Sequence, residues 1–433
     1  MKNYLLAILS LALLISCGNS DTKKSVSKSP PINNAFKDSN FLVVKEKALQ
    51  LAKAGFTAGD GYGEVWIRDY NTFMNLAIAV NDKDLVKENL RVFFRLQGDD
   101  GNIVDGFISK SKANAADGGY NYIHTSLEKQ YAGHKNTVET DQETSLIQSV
   151  YKFVTRTGDT TFLKEKIGDY TIAQRMEQSM SFLLQNRYAK EYGLLWGATT
   201  ADWGDVQPEH EWGVYLTDDT HYAIDVYDNA MFIIALDNMM EILPETASKW
   251  KKIRDDFATN TMKHLWDEKN EKFIPHIYLN GSPFPEQFNE NEIFYHGGTT
   301  MAIQAGLLSR EQILTSLRKM EENMEKSGAA TIGLTLYPPY PKGTFLNKGM
   351  YPYGYQNGGD WTWFGGRTVI ALFNHGYKEE AYKHMRPMME RVIKNDGFYE
   401  WYTIDNTPNG SASFRGSAGV LFDAIELFLN DSN

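Results

Sequence analysis

Cysteine is nearly absent. The chain of 433 residues holds one, Cys17, so no intramolecular disulfide can form and no thiolate metal site can be built. Stability must therefore come from core packing. Positive charge is in deficit too: 44 Lys and Arg against 55 Asp and Glu leave a net charge of −11. That excludes the basic footprint of a nucleic-acid binder. The apolar run from Leu5 to Ile15 is too short to span a bilayer. Repeats of fixed length are missing, which speaks against a solenoid, and no alternating stretch is long enough for a central sheet. There is no GxGxxG, P-loop, HExxH or EF-hand spacing and no nucleophile elbow, and the proximity of Asp202, Asp205, His210 and His221 matches no ligand pattern. No catalytic metal and no other cofactor is expected; a structural Ca2+ held by acidic loops stays open.

At the start of the chain, Lys2 followed by that apolar run reads as a secretion signal. The tetrad Leu14-Ile15-Ser16-Cys17 is similar to the bacterial lipobox. That resemblance implies a signal peptide over residues 1–17, lipidation of Cys17, and a protein secreted across the inner membrane and held to a bacterial membrane by its lipid alone. Periplasmic and cell-surface placement both stay open. Residues 18–38, rich in Ser, Lys, Asn and Pro, read as a flexible tether. Residues 39–433 form the folded part, roughly 395 residues, more than one core usually serves.

Helical periodicity dominates this part. Apolar stripes at i, i+3, i+4 and i+7 predict helices near 40–54, 70–80, 83–97, 139–157, 160–186, 225–242, 246–266, 296–306, 309–326, 361–375, 378–394 and 415–429. Asp159 or Thr160, Pro244 and Gly376 punctuate them. Short ribbons are expected at 193–196 and 272–278. Segments before even-numbered helices are long and rich in Gly, Trp, Tyr, Asp and Glu; those before odd-numbered ones are short and plain. This alternation predicts an all-α fold, an (α/α)6 toroid of six helical hairpins, in which the even helices form the inner ring and the loops feeding them open at one end. Those loops are 61–70, 136–144, 197–212, 294–302, 355–366 and 397–419. With 9 Trp and 24 Tyr, a cleft that stacks aromatic rings on the C–H faces of sugars is one reading, and a large aromatic core is the other.

Two loops carry carboxylates wedged between aromatic rings: Asp202-Trp203-Gly204-Asp205, and Glu400 in Phe398-Tyr399-Glu400-Trp401-Tyr402. Partial desolvation there would raise a carboxyl pKa, which suits a general acid. Inverting cleavage of a glycosidic bond needs one protonated and one ionised carboxyl, roughly 6.5–9.5 Å apart. The segment YEWYTIDNTPNG is similar to the one that carries the catalytic base in the processing α-glucosidase, trehalase and glucoamylase group of (α/α)6 enzymes. The ADWGD loop resembles that of cellobiose phosphorylases. Trp66-Ile67-Arg68-Asp69 resembles the Trp-x-Arg-Asp motif with which glucoamylase-like enzymes hold the non-reducing sugar.

These resemblances follow the hairpin order over most of the chain, but only the short motifs match. They imply Glu400 as base, Asp205 as acid and Asp202 as a sugar ligand, with the exchange of the two aspartates left open. Trp66, Arg68, Asp69, Trp203, Asn357, Asp360, Trp361 and Trp401 are the remaining candidates for binding an oligosaccharide, with Trp363 beside them. Glu139, Asp141 and Glu143 suit the positive end of a helix dipole equally well. His296 reads as structural, and Arg415 and Ser417, with glycines around them, as shaping the cleft floor. The implied activity is exo-acting inverting hydrolysis, by resemblance of an α-linked glucoside. The alternatives are an inverting phosphorylase and a lipid-anchored glycan-binding protein.

Overall fold

The computed structural model describes residues 38–113, 121–211 and 214–431. Cys17 and the signal and tether segments before residue 38 lie outside the described residues. Twelve α-helices stand among the described residues: α1 (Asn40–Ala52), α2 (Ile67–Val80), α3 (Lys83–Arg95), α4 (Gln142–Thr157), α5 (Ile172–Asn186), α6 (Val226–Ile242), α7 (Ala247–Leu265), α8 (His296–Gln304), α9 (Arg310–Ser327), α10 (Thr362–Asn374), α11 (Lys378–Asn395) and α12 (Arg415–Asp431). Each even-numbered helix packs on the even-numbered helices before and after it, and α12 packs on α2, which closes a ring. The odd-numbered helices lie outside. This is the (α/α)6 toroid.

Burial follows the two layers. On α6 nearly every residue from Val226 to Leu236 is buried, whereas α9 buries one stripe carrying Ile313, Leu317 and Met320. A helix apolar all round belongs inside; one with a single apolar stripe belongs at the surface. Glycines let the inner helices approach each other: a Cβ on Gly366 would strike Val420, and one on Gly419 would strike Phe73. Among the described residues no helix is long and apolar enough to cross a membrane.

Two expectations change. The helix expected over 160–186 is interrupted: Thr160–Lys164 is a single 3-10 turn, and a hairpin, Lys166–Ile167 with Tyr170–Thr171, intervenes. Gly168, at φ 61, makes the hairpin turn. The α-helix starts only at Ile172, where Thr171 and Gln174 form a reciprocal capping box. The connection between α3 and α4 is also more structured than expected, because strands Gly106–Ser109 and Tyr131–His134 join Val65–Trp66 in an antiparallel sheet. The expected ribbons do pair, Leu194–Leu195 with Tyr188–Ala189 and Lys272–Phe273 with Trp266–Asp267, while Ile277–Tyr278 pairs with Tyr222–Ile224.

Candidate active site

The loops that feed the inner helices enclose a cavity of about 660 Å³, within the range of small-ligand sites. Its walls come from five of the six loops, with the first turns of α2 and α10, and from residues outside the expected ranges, among them Asp105 and the stretch Asn347-Lys348-Gly349. The sixth, 294–302, does not reach the cavity. The N–H groups of Gly297 and Gly298 at the start of α8 are occupied by the Asp202 carboxyl, at 2.6 and 2.7 Å, and His296 faces Asn323 at 3.1 Å.

Glu400 and Asp205 both line this cavity. Glu400 precedes the hairpin Trp401–Tyr402 with Pro408–Asn409 and is 5% exposed. Its Oε2 accepts from the Tyr62 hydroxyl at 3.0 Å and from the Ser411 N–H at 3.1 Å. Burial pushes its carboxyl up, opposed by those two donors, and the Asp205 charge adds to the rise. Asp205 is partly buried. Its Oδ1 accepts from Gln356 Nε2 at 2.8 Å, while its own N–H donates to Gln356 Oε1 at 3.2 Å. Each carboxyl thus has one oxygen held and the other unoccupied by any hydrogen bond from a described residue.

The first turn of α2 supplies Arg68 and Asp69. Arg68 pairs with Glu139 and, at 2.8 Å through Nε, with Asp141, and donates to the Trp203 carbonyl at 3.3 Å. Its charge is therefore neutralised inside the wall. Asp69 is different: burial pushes its carboxyl up to about 7, and Oδ1 is buried without a hydrogen-bond partner. Asp105 also lines the cavity, and burial pushes it up to about 8. Two carboxyls that keep protons near neutrality can both donate to and accept from hydroxyl groups. Glu143 does not reach the cavity; it pairs with Lys135 at 2.7 Å and accepts the Ile103 N–H.

Trp66, Trp203, Trp361, Trp363 and Trp401 all border the cavity. Trp203 stacks on Phe364 with ring centroids 4.4 Å apart and meets Trp361 edge-on at 4.9 Å, so its ring also belongs to the core. Trp66 is set by its strand, because a Cβ on Gly106 opposite would strike its ring.

Three expected ligands are placed elsewhere. Asp202 is fully buried at the N-terminus of α8, where it accepts that helix's first free N–H groups. Asn357 spans Tyr340 N–H, at 2.7 Å, and the carbonyls of Tyr340 and Met350, at 3.0 Å each. Asp360 accepts from Thr331 and from Arg391, the latter at 3.0 Å. All three have their hydrogen-bonding capacity satisfied by the fold. Arg415 and Ser417 hold neighbouring loops through Thr57 and the Tyr399 carbonyl.

Sequence reasoning missed Tyr62, Asp105 and Gln356. Tyr62 lies in the GYGEVW segment already singled out and could have been found there; Asp105 and Gln356 carry no motif. Among the described residues no group of three or more His, Cys, Asp or Glu side chains is placed to hold a metal ion.

No family model matches the chain, and no curated protein is significantly similar to it. Solved structures are similar to it. A GH63 mannosylglycerate hydrolase from Thermus thermophilus, in complex with glucose, aligns with TM-score 0.65 at 14% identity, over 89% of this chain and 100% of that one. A rhamnosidase from Klebsiella oxytoca with rhamnose bound aligns with TM-score 0.57 at 13% identity, over 89% and 63%. A GH78 family rhamnosidase from a Bacillus species gives 0.57 at 15% identity, over 91% and 35%. At these identities the likeness establishes a shared architecture, and the chain has the (α/α)6 fold of these glycoside hydrolases.

Proposed function

We propose that the protein is an inverting, exo-acting glycoside hydrolase that releases a sugar, by motif resemblance α-linked glucose, from the non-reducing end of an oligosaccharide. The observation that carries this is the meeting of Asp205 and Glu400, from loops far apart in sequence, in one aromatic-walled cavity, each with one oxygen held and the other open. Protonated Asp205 gives its proton to the glycosidic oxygen as the C–O bond breaks. Glu400 takes a proton from water, whose oxygen bonds to the anomeric carbon from the opposite face. Burial raises the Glu400 carboxyl, and the Ser411 N–H and the Tyr62 hydroxyl oppose that rise in favour of the ionised form that a base needs. Asp69 and Asp105 hold sugar hydroxyls. The glycoside hydrolases of the same fold support the class, and the mannosylglycerate hydrolase and rhamnosidases among them make α-mannosides and α-rhamnosides the next substrates to try.

A phosphorylase would need a free cationic pocket for phosphate. Of the two cations that line the cavity among the described residues, Arg68 is occupied by Glu139 and Asp141, and Lys348 reaches outward with Glu211 at 3.7 Å. Proton NMR of the protein with α- and β-linked disaccharides, with and without phosphate, tests the reading. A first product of inverted anomeric configuration, formed without phosphate, supports it. Phosphate-dependent cleavage transfers the site to a phosphorylase, and binding without turnover transfers it to a glycan-capture protein.

The same proposal places the enzyme on a bacterial membrane through lipid at Cys17. Metabolic labelling with palmitate checks this: the label should be incorporated into the full chain and lost in Cys17→Ser.

A further inference from the structure

We infer that Gln356 aims the catalytic acid: its carboxamide fixes which oxygen of Asp205 carries the proton delivered to the leaving group. The inference rests on the reading of Asp205 as acid.

Gln356 is 1% exposed and reaches Asp205 from a loop 151 residues further along the chain. The two residues exchange two hydrogen bonds, Asp205 N–H to Oε1 at 3.2 Å and Nε2 to Oδ1 at 2.8 Å. The amide has one orientation here. A backbone N–H only donates, so the carboxamide atom facing it is the oxygen, and the nitrogen is left facing Oδ1. A donor on Oδ1 disfavours a proton at that oxygen. The acid proton therefore sits on Oδ2, which no described residue engages.

The two loops are built to hold this geometry. Thr335 Oγ1 donates to the Gln356 carbonyl at 3.0 Å and accepts the Gly358 N–H at 2.8 Å. Tyr355, just before Gln356, has φ 40, and Asp202, three residues before Asp205, has φ 57. Non-glycine residues in this region carry strain that persists only where surrounding contacts over-determine it. Gly204 leaves room for the amide, since a Cβ there would lie 3.0 Å from Gln356 Oε1. The second bond, unlike the first, is directed at the side-chain carboxyl of a residue that lines the cavity.

Leaving-group dependence separates the two roles. A phenolate departs poorly without a proton, whereas 2,4-dinitrophenolate departs without one. Phenyl and 2,4-dinitrophenyl α-D-glucosides, α-D-mannosides and α-L-rhamnosides are assayed with the wild-type protein, Asp205→Asn, Gln356→Met and Gln356→Glu, with thermal midpoints taken as a check of folding. Gln356→Met removes both bonds. Gln356→Glu keeps the length and the acceptor for the Asp205 N–H but replaces the amide donor with a second carboxyl, which draws a shared proton to the Oδ1 side and away from Oδ2, so it serves if the Met variant does not fold.

For the sugar that is hydrolysed, each Gln356 variant should lower kcat on the phenyl glycoside about 100-fold at nearly constant KM, and kcat on the dinitrophenyl glycoside by less than about threefold. Asp205→Asn should show the same selectivity. Equal losses on both leaving groups, or no loss, in the Gln356 variants while Asp205→Asn stays selective would overturn the inference alone. An unselective Asp205→Asn, or no hydrolysis of any glycoside by the wild type, would overturn the proposed function and the inference with it.

Discussion

Asp69 and Asp105 hold their protons to about pH 7 and about pH 8, burial being the first cause in each. In the unfolded chain an aspartate releases its proton near pH 4. Below that value both states are protonated and the contribution to stability is complete. Between about pH 4 and 8 these two carboxyls bind more protons in the folded chain than in the unfolded one, so their contribution to stability falls as pH rises. Urea denaturation should therefore give a lower stability at pH 8 than at pH 5, and Asp69→Asn should flatten that slope; an unchanged slope would count against the protonated carboxyl. Glu400→Gln and Asp205→Asn should each lower turnover roughly 10²–10⁴-fold with the thermal midpoint retained. Asp202→Asn should do the reverse, costing on the order of 1–3 kcal/mol at the start of α8 while turnover per folded molecule is largely kept. Turnover and differential scanning calorimetry on the three variants decide this. Asp202 and Asp205 also show where motif reading stops: both stand in ADWGD, yet one faces a helix N-terminus and the other the cavity. The sequence states which residue types are near each other, and the side on which each falls depends on α8, nearly 100 residues later. Gln356 and Asp105 were illegible for the same reason, since their roles lie in partners distant along the chain.

The helices were the most legible elements, because inner helices are apolar all round and outer ones carry a stripe, and both patterns survive in composition. The error at 160–186 arose where a 3-10 turn and a two-residue hairpin keep apolar residues at near-helical spacing, with Phe162, Leu163, Ile167 and Ile172 all buried. Strands of two to four residues, such as Gly106–Ser109, are too short for alternation to register. At the start of α8, a Cβ on Gly297 would run into the Trp203 ring. Gly297→Ala should accordingly cost about 1–3 kcal/mol through overpacking, read as a lower thermal midpoint, whereas Ala at Gly306, which has open space but φ 69, meets only backbone strain. A Gly297→Ala variant as stable as the wild type would mean that the α8 start and the Trp203 loop can move apart.

For the molecule as a whole, the alternation of residue-rich and plain connections made the toroid readable before any single helix boundary was exact; length alone fails between α4 and α5, where 158–171 is as long as 53–66 before α2. The identity of a sugar is not written in such a pattern, which reports position in the ring and not the contacts made to a ligand. Closure of the ring also brings the two ends of the described chain together: Phe41, in the first turn of α1, packs on Phe428 near the end of α12, with ring centroids 5.7 Å apart. A ring has no privileged first hairpin. Joining residue 431 to residue 38 through a short Gly/Ser bridge and opening the chain at Pro244–Thr246, on the face away from the cavity, should give a circular permutant that still closes and still turns over substrate, since tolerated cut sites are exposed turns with few contacts. On such a scaffold, a reporter or surface anchor could be carried at the back of the toroid without standing in the path of an entering glycan.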